Sequence, residues 1–279
     1  MRVLVAGAAG SIGTVVCGGL VDRGHDVVGL DRAVEPEGFI GPWFTADCAD
    51  SDAVEAVFAE LAHSGGVEAV VHLAGYPTEG ALPLELESHV VTTGALLDAM
   101  VAHGVPRMVY ASSNHAVGRT PRSGLLTVDV PPRPDTFYGV AKVAAEALLR
   151  LHVERYGIDT VALRIGSFLE RPETRRQLES WLSHDDCVRM VEAALTAPDP
   201  GFAVVYGVSA NTRGWWDLEP GRALGYHPQD DAEQFAAQVE AAEATEDDAA
   251  EAGHVGGPYV TERFYRPALD GPHASSGRG

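Results

Sequence analysis

The sequence predicts an α/β protein built on a doubly wound parallel sheet with a small C-terminal cap, and three observations predict it. Short apolar runs alternate with segments of helical spacing from the first residues onward. A glycine-rich turn, Gly7 to Gly13, joins the first apolar run to the first helical segment. A chain of 279 residues, 46% hydrophobic and with 31 glycines, has room for one large core and many tight turns.

The elements follow in order. Val3-Leu4-Val5, Val27-Val28 and residues 67–73, 107–111 and 160–165 read as short buried strands. Residues 11–23, 51–63, 86–103 and 136–156 carry helical spacing between them. Strands that alternate with helices imply right-handed crossovers and parallel pairing. Pro131, Pro132 and Pro134 exclude helix and central strand, so this stretch is a loop entering the next helix. The alternation stops near Glu170. Residues 1–169 therefore read as the core, 170–269 as a partly helical cap with returning core elements, and 270–279 as a disordered tail. Ser183-His184-Asp185-Asp186 has capping-box spacing at a helix start. The acidic, alanine-rich stretch 241–253 reads as a solvated helix end or mobile segment.

Composition excludes several functions. The formal net charge of −20 leaves no basic footprint for nucleic acid. No apolar run reaches the roughly 18 residues that cross a bilayer. The N-terminal apolar run meets a glycine turn too soon for a secretory signal, so a cytoplasmic protein is expected. Cys17, Cys48 and Cys187 are odd in number and widely spaced, forming neither a disulfide framework nor a metal pattern. Cys17 falls in a helix and reads as a small core residue.

Gly7, Gly10, Ser11, Ile12 and Gly13 sit where a strand turns into a helix. Missing side chains let that turn approach a pyrophosphate, and the helix N-terminus offers N–H groups and a positive dipole end. A tight turn could use glycine for its own sake. Asp31, ending the second strand, stands where a carboxylate accepts the adenosine ribose hydroxyls and repels a 2′-phosphate, which favours NAD over NADP. Arg32 beside it could instead tolerate that phosphate or simply be solvated. Asp47 either binds the adenine edge or caps the following helix.

Tyr138 and Lys142 are four apart, hence on one helix face. A phenol titrates near ~10, and an adjacent ammonium is expected to lower it to a usable proton acceptor. Two surface residues would give the same spacing. Ser112, Ser113 and Asn114 end a strand, however, at the edge where open α/β sheets bind ligands.

The chain resembles the extended short-chain dehydrogenases/reductases, the NAD-dependent epimerase/dehydratase family with a Rossmann-like sheet, and within them the uronate dehydrogenases. The resemblance runs from Met1 to about Tyr226. It is carried by Ala111-Ser112-Ser113-Asn114-His115, by residues 129–142 (DVPPRPDTFYGVAK), by Arg164-Ile165-Gly166-Ser167, and by 181–186 (WLSHDD) and 204–217 (VVYGVSANTRGWWD). It implies oxidation of galacturonate or glucuronate at C1 to the aldarolactone. By motif position, Tyr138 is the base and Lys142 holds the nicotinamide ribose. Cys48, Leu73, Ala74 and Gly75 join the cofactor contacts. Thr78, Ser113, Asn114, His115, Ser167 and Arg176 contact the sugar acid, with Arg176 on its carboxylate. A guanidinium can grip a carboxylate through two bonds, although its neighbours Arg171 and Arg175 could equally be solvated. Trp215 and Trp216 either line the pocket or belong to the core, the commoner place for such rings.

Two departures bear on the substrate. Pro77 stands where the family places a serine, leaving Thr78 to replace it, and His89 stands where the family usually has asparagine. A short cap suits a bare sugar acid better than a sugar nucleotide. A sugar-nucleotide epimerase or dehydratase that recycles bound NAD is the alternative enzyme, and a dinucleotide-sensing protein the non-catalytic one. The family also pairs through helices after the fourth and fifth strands, which implies a homo-oligomer.

Overall fold

The structure is a computed structural model that describes residues 1–241 and 243–261. The tail expected over 270–279 lies outside these residues. Strands covered on both faces must be apolar throughout, and β1 (Arg2–Ala6) is buried at every residue after Arg2. The chain continues through α1 (Ser11–Asp22), β2 (Asp26–Asp31), β3 (Trp43–Thr45), α2 (Ser51–His63) and β4 (Ala69–His72). Next come α3 (Leu82–Leu86), a π-turn over Glu87–Val91, α4 (Thr92–His103), β5 (Arg107–Ser113), α5 (Phe137–Tyr156) and β6 (Asp159–Ile165). β7 (Ser167–Phe168), α6 (Gln177–Ser180), β8 (Trp181–Leu182), α7 (His184–Thr196) and β9 (Phe202–Gly207) follow, and α8 (Glu219–Ala223), α9 (Ala236–Val239) and α10 (Glu246–Glu251) complete the series.

The main sheet has seven parallel strands in the order β3-β2-β1-β4-β5-β6-β9. The direction of winding reverses between β1 and β4, so a crevice opens there at the carboxyl ends of the strands. One core layer joins the sheet to α1 and α7 through Val16, Cys17, Leu20, Cys187 and Met190. The other joins it to α2, α4 and α5 through Phe58, Leu61, Leu97, Met100 and Leu149. Cys17 is therefore a core residue, as read.

Four features differ from the sequence reading. β3 and β9 are additional strands: β3 is only three residues long, and β9 is a continuous apolar run whose periodicity does not separate strand from helix. The helix expected from residue 86 starts at Leu82, with Pro83 in its first turn, and passes through the π-turn before α4. Within the expected cap, α7 and β9 belong to the sheet and its cover, leaving the β7–β8 ladder, α6 and the segments after residue 208 outside. Ser183 does cap α7, its hydroxyl accepting the Asp186 N–H at 2.9 Å. Asp186 instead turns its carboxylate to the amides of Gln229 and Asp230, so the box is not reciprocal. The capping box occurs in the acidic stretch, where Thr245 and Asp248 exchange bonds at the start of α10. Among the described residues no helix is long and apolar enough to cross a membrane.

Candidate active site

Where β1 runs out, Gly7 adopts φ +84° and donates to Leu30 O at 2.8 Å. A Cβ on Gly7 would lie 2.5 Å from Ala74 N, and one on Gly13 would lie 2.1 Å from Gly7 O. The turn thus excludes side chains at both positions while keeping its backbone open to a phosphate. Asp31, at the end of β2, accepts the Ala9 N–H at 3.0 Å and the Ala33 N–H at 2.9 Å. Its carboxylate locks the turn to the second strand. Asp47 accepts from Ala49 N, whereas the cap of α2 is Asp50, so capping is not what Asp47 does.

These groups face one cavity of about 790 Å³. Gly7, Gly10, Ser11, Ile12, Gly13, Asp31, Arg32, Asp47, Cys48, Leu73, Ala74 and Gly75 line one part of it; Ser113, Asn114, His115, Tyr138 and Lys142 line another. A side-chain-free turn, the Asp31 carboxylate at the end of β2 and the hydroxyls of Ser113 and Tyr138 in one cavity fit an extended dinucleotide.

The reactive end is built by β5 and α5. Thr136 caps α5 by accepting the Gly139 N–H at 2.9 Å, which sets Tyr138 on the first turn. One turn on, Lys142 is buried; its Nζ donates to Ala111 O at 2.7 Å and lies 5.2 Å from the centre of the Tyr138 ring. The lowered phenol expected from this pair is not what the structure produces. Burial pushes Tyr138 up to about 12, and the hydrogen bond from Ser113 is what pulls against that rise. Burial also brings Lys142 down to about 7, opposed by the charges of Glu85 and Glu146. The ammonium sits against the ring and the Ala111 carbonyl, and desolvation outweighs its attraction for a phenolate.

Several groups that shape the site carry no signal in local sequence. Glu79 receives the Phe137 and Tyr138 N–H groups, both at 3.0 Å, clamping its loop onto the positive end of α5. Asp135 holds His115 Nδ1 at 2.9 and 3.0 Å, so a neutral imidazole carries its proton there and keeps a lone pair on Nε2. Tyr259 packs edge-on against His115, with ring centroids 4.9 Å apart. Arg164 grips Glu146 through Nε and Nη2 at 3.0 and 2.9 Å behind Ser112. One signal was legible and missed: Lys142 is the single lysine of the chain, all other cationic side chains being arginine or histidine.

Thr78, Ser167 and Arg176 are not among the residues lining the cavity, although Pro77 and His89 are. Ser167 shares a hydrogen bond with Ser180 at 2.9 Å. Arg176 donates to Val255 O at 2.8 Å, and burial lowers its proton affinity against the pull of Glu251, Asp135, Glu179 and Tyr259. Arg175 pairs with Glu240, and Arg171 is exposed. Trp215 and Trp216 pack with Leu126, Tyr206 and Val208, and both indoles donate to Glu179, so they are core.

The model of the "NAD dependent epimerase/dehydratase family" matches residues 3–170. The chain belongs to the NAD-dependent epimerase/dehydratase family. Within this family it is 36% identical over 262 residues to a uronate dehydrogenase of Pseudomonas syringae pv. tomato, covering 93% of each chain. It is 39% identical over 236 residues to a uronate dehydrogenase of Agrobacterium fabrum, covering 84% of this chain and 86% of the other. A solved structure of a mutant uronate dehydrogenase from Agrobacterium tumefaciens complexed with NAD superposes with a TM-score of 0.86 at 36% identity, covering 95% of this chain and 99% of that one.

Proposed function

We propose that this protein oxidises a hexuronic acid, galacturonate or glucuronate, at C1 to the aldarolactone, with NAD as electron acceptor. The observation that carries this reading is the meeting of Tyr138, Lys142 and Ser113 with the glycine turn in one cavity. The family's uronate dehydrogenases, matched along nearly the whole chain, support the substrate class. Asp31 at the ribose end favours NAD over its 2′-phosphate form.

When bound, NAD supplies the hydride acceptor for C1 and a positive ring that favours the phenolate. The chain supplies the rest. Tyr138 takes the proton of the anomeric hydroxyl. Ser113 donates to the Tyr138 oxygen and so stabilises the phenolate before it takes that proton, and Asn114 and the lone pair of His115 orient the sugar hydroxyls. C1 keeps its bond to the ring oxygen, so loss of O–H proton and C–H hydride leaves a lactone carbonyl. Arg176 provides the cation for the substrate carboxylate by exchanging its bond to Val255 O. Thr78 and Ser167 supply further polar contacts as the pocket closes on the sugar. We read the setting as cytoplasmic, which the three free, buried thiols support. Exposed apolar side chains on α3 and α5 (Leu84, Leu86, Phe137, Val140) support pairing of two copies.

The test is NADH formation from NAD with galacturonate, glucuronate and matched neutral aldoses. Turnover of the uronates is expected, with Arg176→Ala raising KM for them by about 10-fold or more, the cost of a lost charge-assisted pair, and barely altering weak activity on neutral sugars. Tightly bound NAD with no net NADH from any of these sugars would instead favour an epimerase. Unchanged KM in Arg176→Ala would remove that residue from the substrate site.

A further inference from the structure

The side chain of Asp135 has no exposed surface, and a carboxylate so placed needs donors of its own. It takes them from His115 Nδ1, at 2.9 and 3.0 Å, and from the Thr136 hydroxyl at 3.2 Å. Two glycines close over it. Gly118 lies in the loop after β5 and Gly256 in the C-terminal strap of residues 253–257, and the Gly256 N–H donates to Gly118 O at 2.8 Å. The strap is tied down by Val255 N–H on Thr120 O at 3.1 Å and by Arg122 N–H on Gly253 O at 2.9 Å. Both glycines have right-handed helical backbone, with φ −55° and −74°, which any residue adopts. Space is what requires glycine here, since a Cβ on either would run into the Asp135 carboxylate. The strap then brings the Tyr259 ring onto the same imidazole that Asp135 holds.

We propose that Asp135 is a positioning residue for turnover: enclosed by Gly118 and Gly256, it fixes His115 with the proton on Nδ1, so that Nε2 can only accept a hydrogen bond from a sugar hydroxyl. Asp135 is not among the residues lining the cavity, whereas His115 is, with its ring 6.0 Å from that of Tyr138 between centroids. The carboxylate therefore acts through the imidazole. A hydrogen bond to a charged acceptor is roughly twice as strong as a neutral one, so it selects one tautomer of the neutral ring. The other tautomer would present an N–H to the sugar in place of a lone pair. The kinetic arm of the proposal rests on the dehydrogenase reading; the tautomer does not.

Nitrogen-15 spectra of the imidazoles distinguish the two tautomers without NAD or sugar, the His115 signals being those lost in His115→Gln. Wild type is expected to show Nδ1 protonated and Nε2 bare. Asp135→Asn removes the charge, and Gly118→Ala and Gly256→Ala push the carboxylate aside without straining the backbone. Each should populate the second tautomer and lower kcat/KM for uronate by about 10-fold or more, the worth of a hydrogen bond to a charged group. In a His115→Gln background each should cost less than about 2-fold, because the residue it acts through is gone. A carboxylate that only braced the loop and the strap would cost the same in both backgrounds, and that result would overturn the proposal. So would His115→Gln with wild-type turnover, or a wild-type His115 protonated on Nε2. Should the three variants fail to fold, the wild-type spectrum decides. A wild type without uronate turnover would refute the proposed reaction, yet leave the comparison of tautomers intact.

Discussion

The Tyr138 phenol holds its proton tightly because burial removes the water that would solvate a phenolate, and the pull of Ser113 is smaller than that loss. A base built this way must give up that proton before it can take one from the substrate, and in the folded chain the Ser113 hydrogen bond is what favours the phenolate. Tyr138→Phe keeps the ring, its contact with His89 and the packing of α5, and removes the oxygen alone. Turnover should fall by ~10²- to 10⁴-fold, the usual contribution of a positioned acid or base. NAD affinity, followed by fluorescence titration, should change little; turnover within a few-fold of wild type would exclude Tyr138 as the base. The sequence discloses this residue through its spacing to Lys142, because helix geometry turns a separation of four into a shared face. It does not disclose Glu79 or Asp135. Those reach the Tyr138 amide and His115 across long stretches of chain, and nothing in the local pattern around an acidic residue says which partner it will meet.

Elements were legible in proportion to their periodicity. α2 begins and ends where its spacing says it should, although its cap is Asp50 and not Asp47, and α5 likewise follows Thr136. α3 and its π-turn were not separable, since Leu86 to His103 has apolar spacing that a single helix would satisfy. Two predictions belong to this scale. The turn between β1 and α1 has no room at Gly13, where a Cβ would meet the Gly7 carbonyl at 2.1 Å. Gly13→Ala must push the turn out of shape, and Kd for NAD should rise by about 100-fold or more, the loss of two good hydrogen bonds; a few-fold change would mean that the turn does not hold the pyrophosphate. The second concerns the join of β4 to α4. Thr93 Oγ1 donates to His89 O at 2.5 Å and so must accept from His72 Nε2 at 3.1 Å, which fixes the neutral tautomer of His72. Burial, aided by the Lys142 charge, brings His72 down to about 3. Its folded-state value is below its unfolded one, so the unfolded chain binds the proton first. Stability is therefore intact above pH 6.5 and falls as pH drops from there toward 3, by up to about 1.4 kcal/mol per pH unit. His72→Gln should flatten the difference in urea midpoint between pH 7 and pH 5; an unchanged difference would mean His72 is not held neutral.

At the scale of the whole molecule the opposing terms are the excess of acidic groups and the ion pairs that partly offset them. Forty acidic side chains face twenty basic ones, for a formal net charge of −20. Many of the pairs are peripheral, such as Arg150–Glu154 and Arg222–Glu219, and exposed pairs contribute only about 0–1 kcal/mol each. The uncompensated carboxylates repel one another across the surface, and that repulsion favours the expanded chain. Salt weakens both effects, but it acts on many repulsive pairs and few strong attractive ones. The screening length shrinks from about 10 Å at 0.1 M to about 3 Å at 1 M, shorter than most separations between like charges on a surface. Raising sodium chloride from 0.05 to 0.5 M at pH 7.5 should therefore raise Tm. A relief of one or two kcal/mol corresponds to roughly 2 to 4 °C for a chain of this size. At that pH His72 and His89 are neutral in the folded chain and almost wholly so in the unfolded one, so their linkage barely enters. Choline chloride at equal ionic strength should act alike, since the argument needs screening and no specific ion. A Tm that stays level or falls would show that the pairs holding the cap, Arg213–Glu233, Arg175–Glu240 and Arg189–Asp230, outweigh the repulsion they sit within.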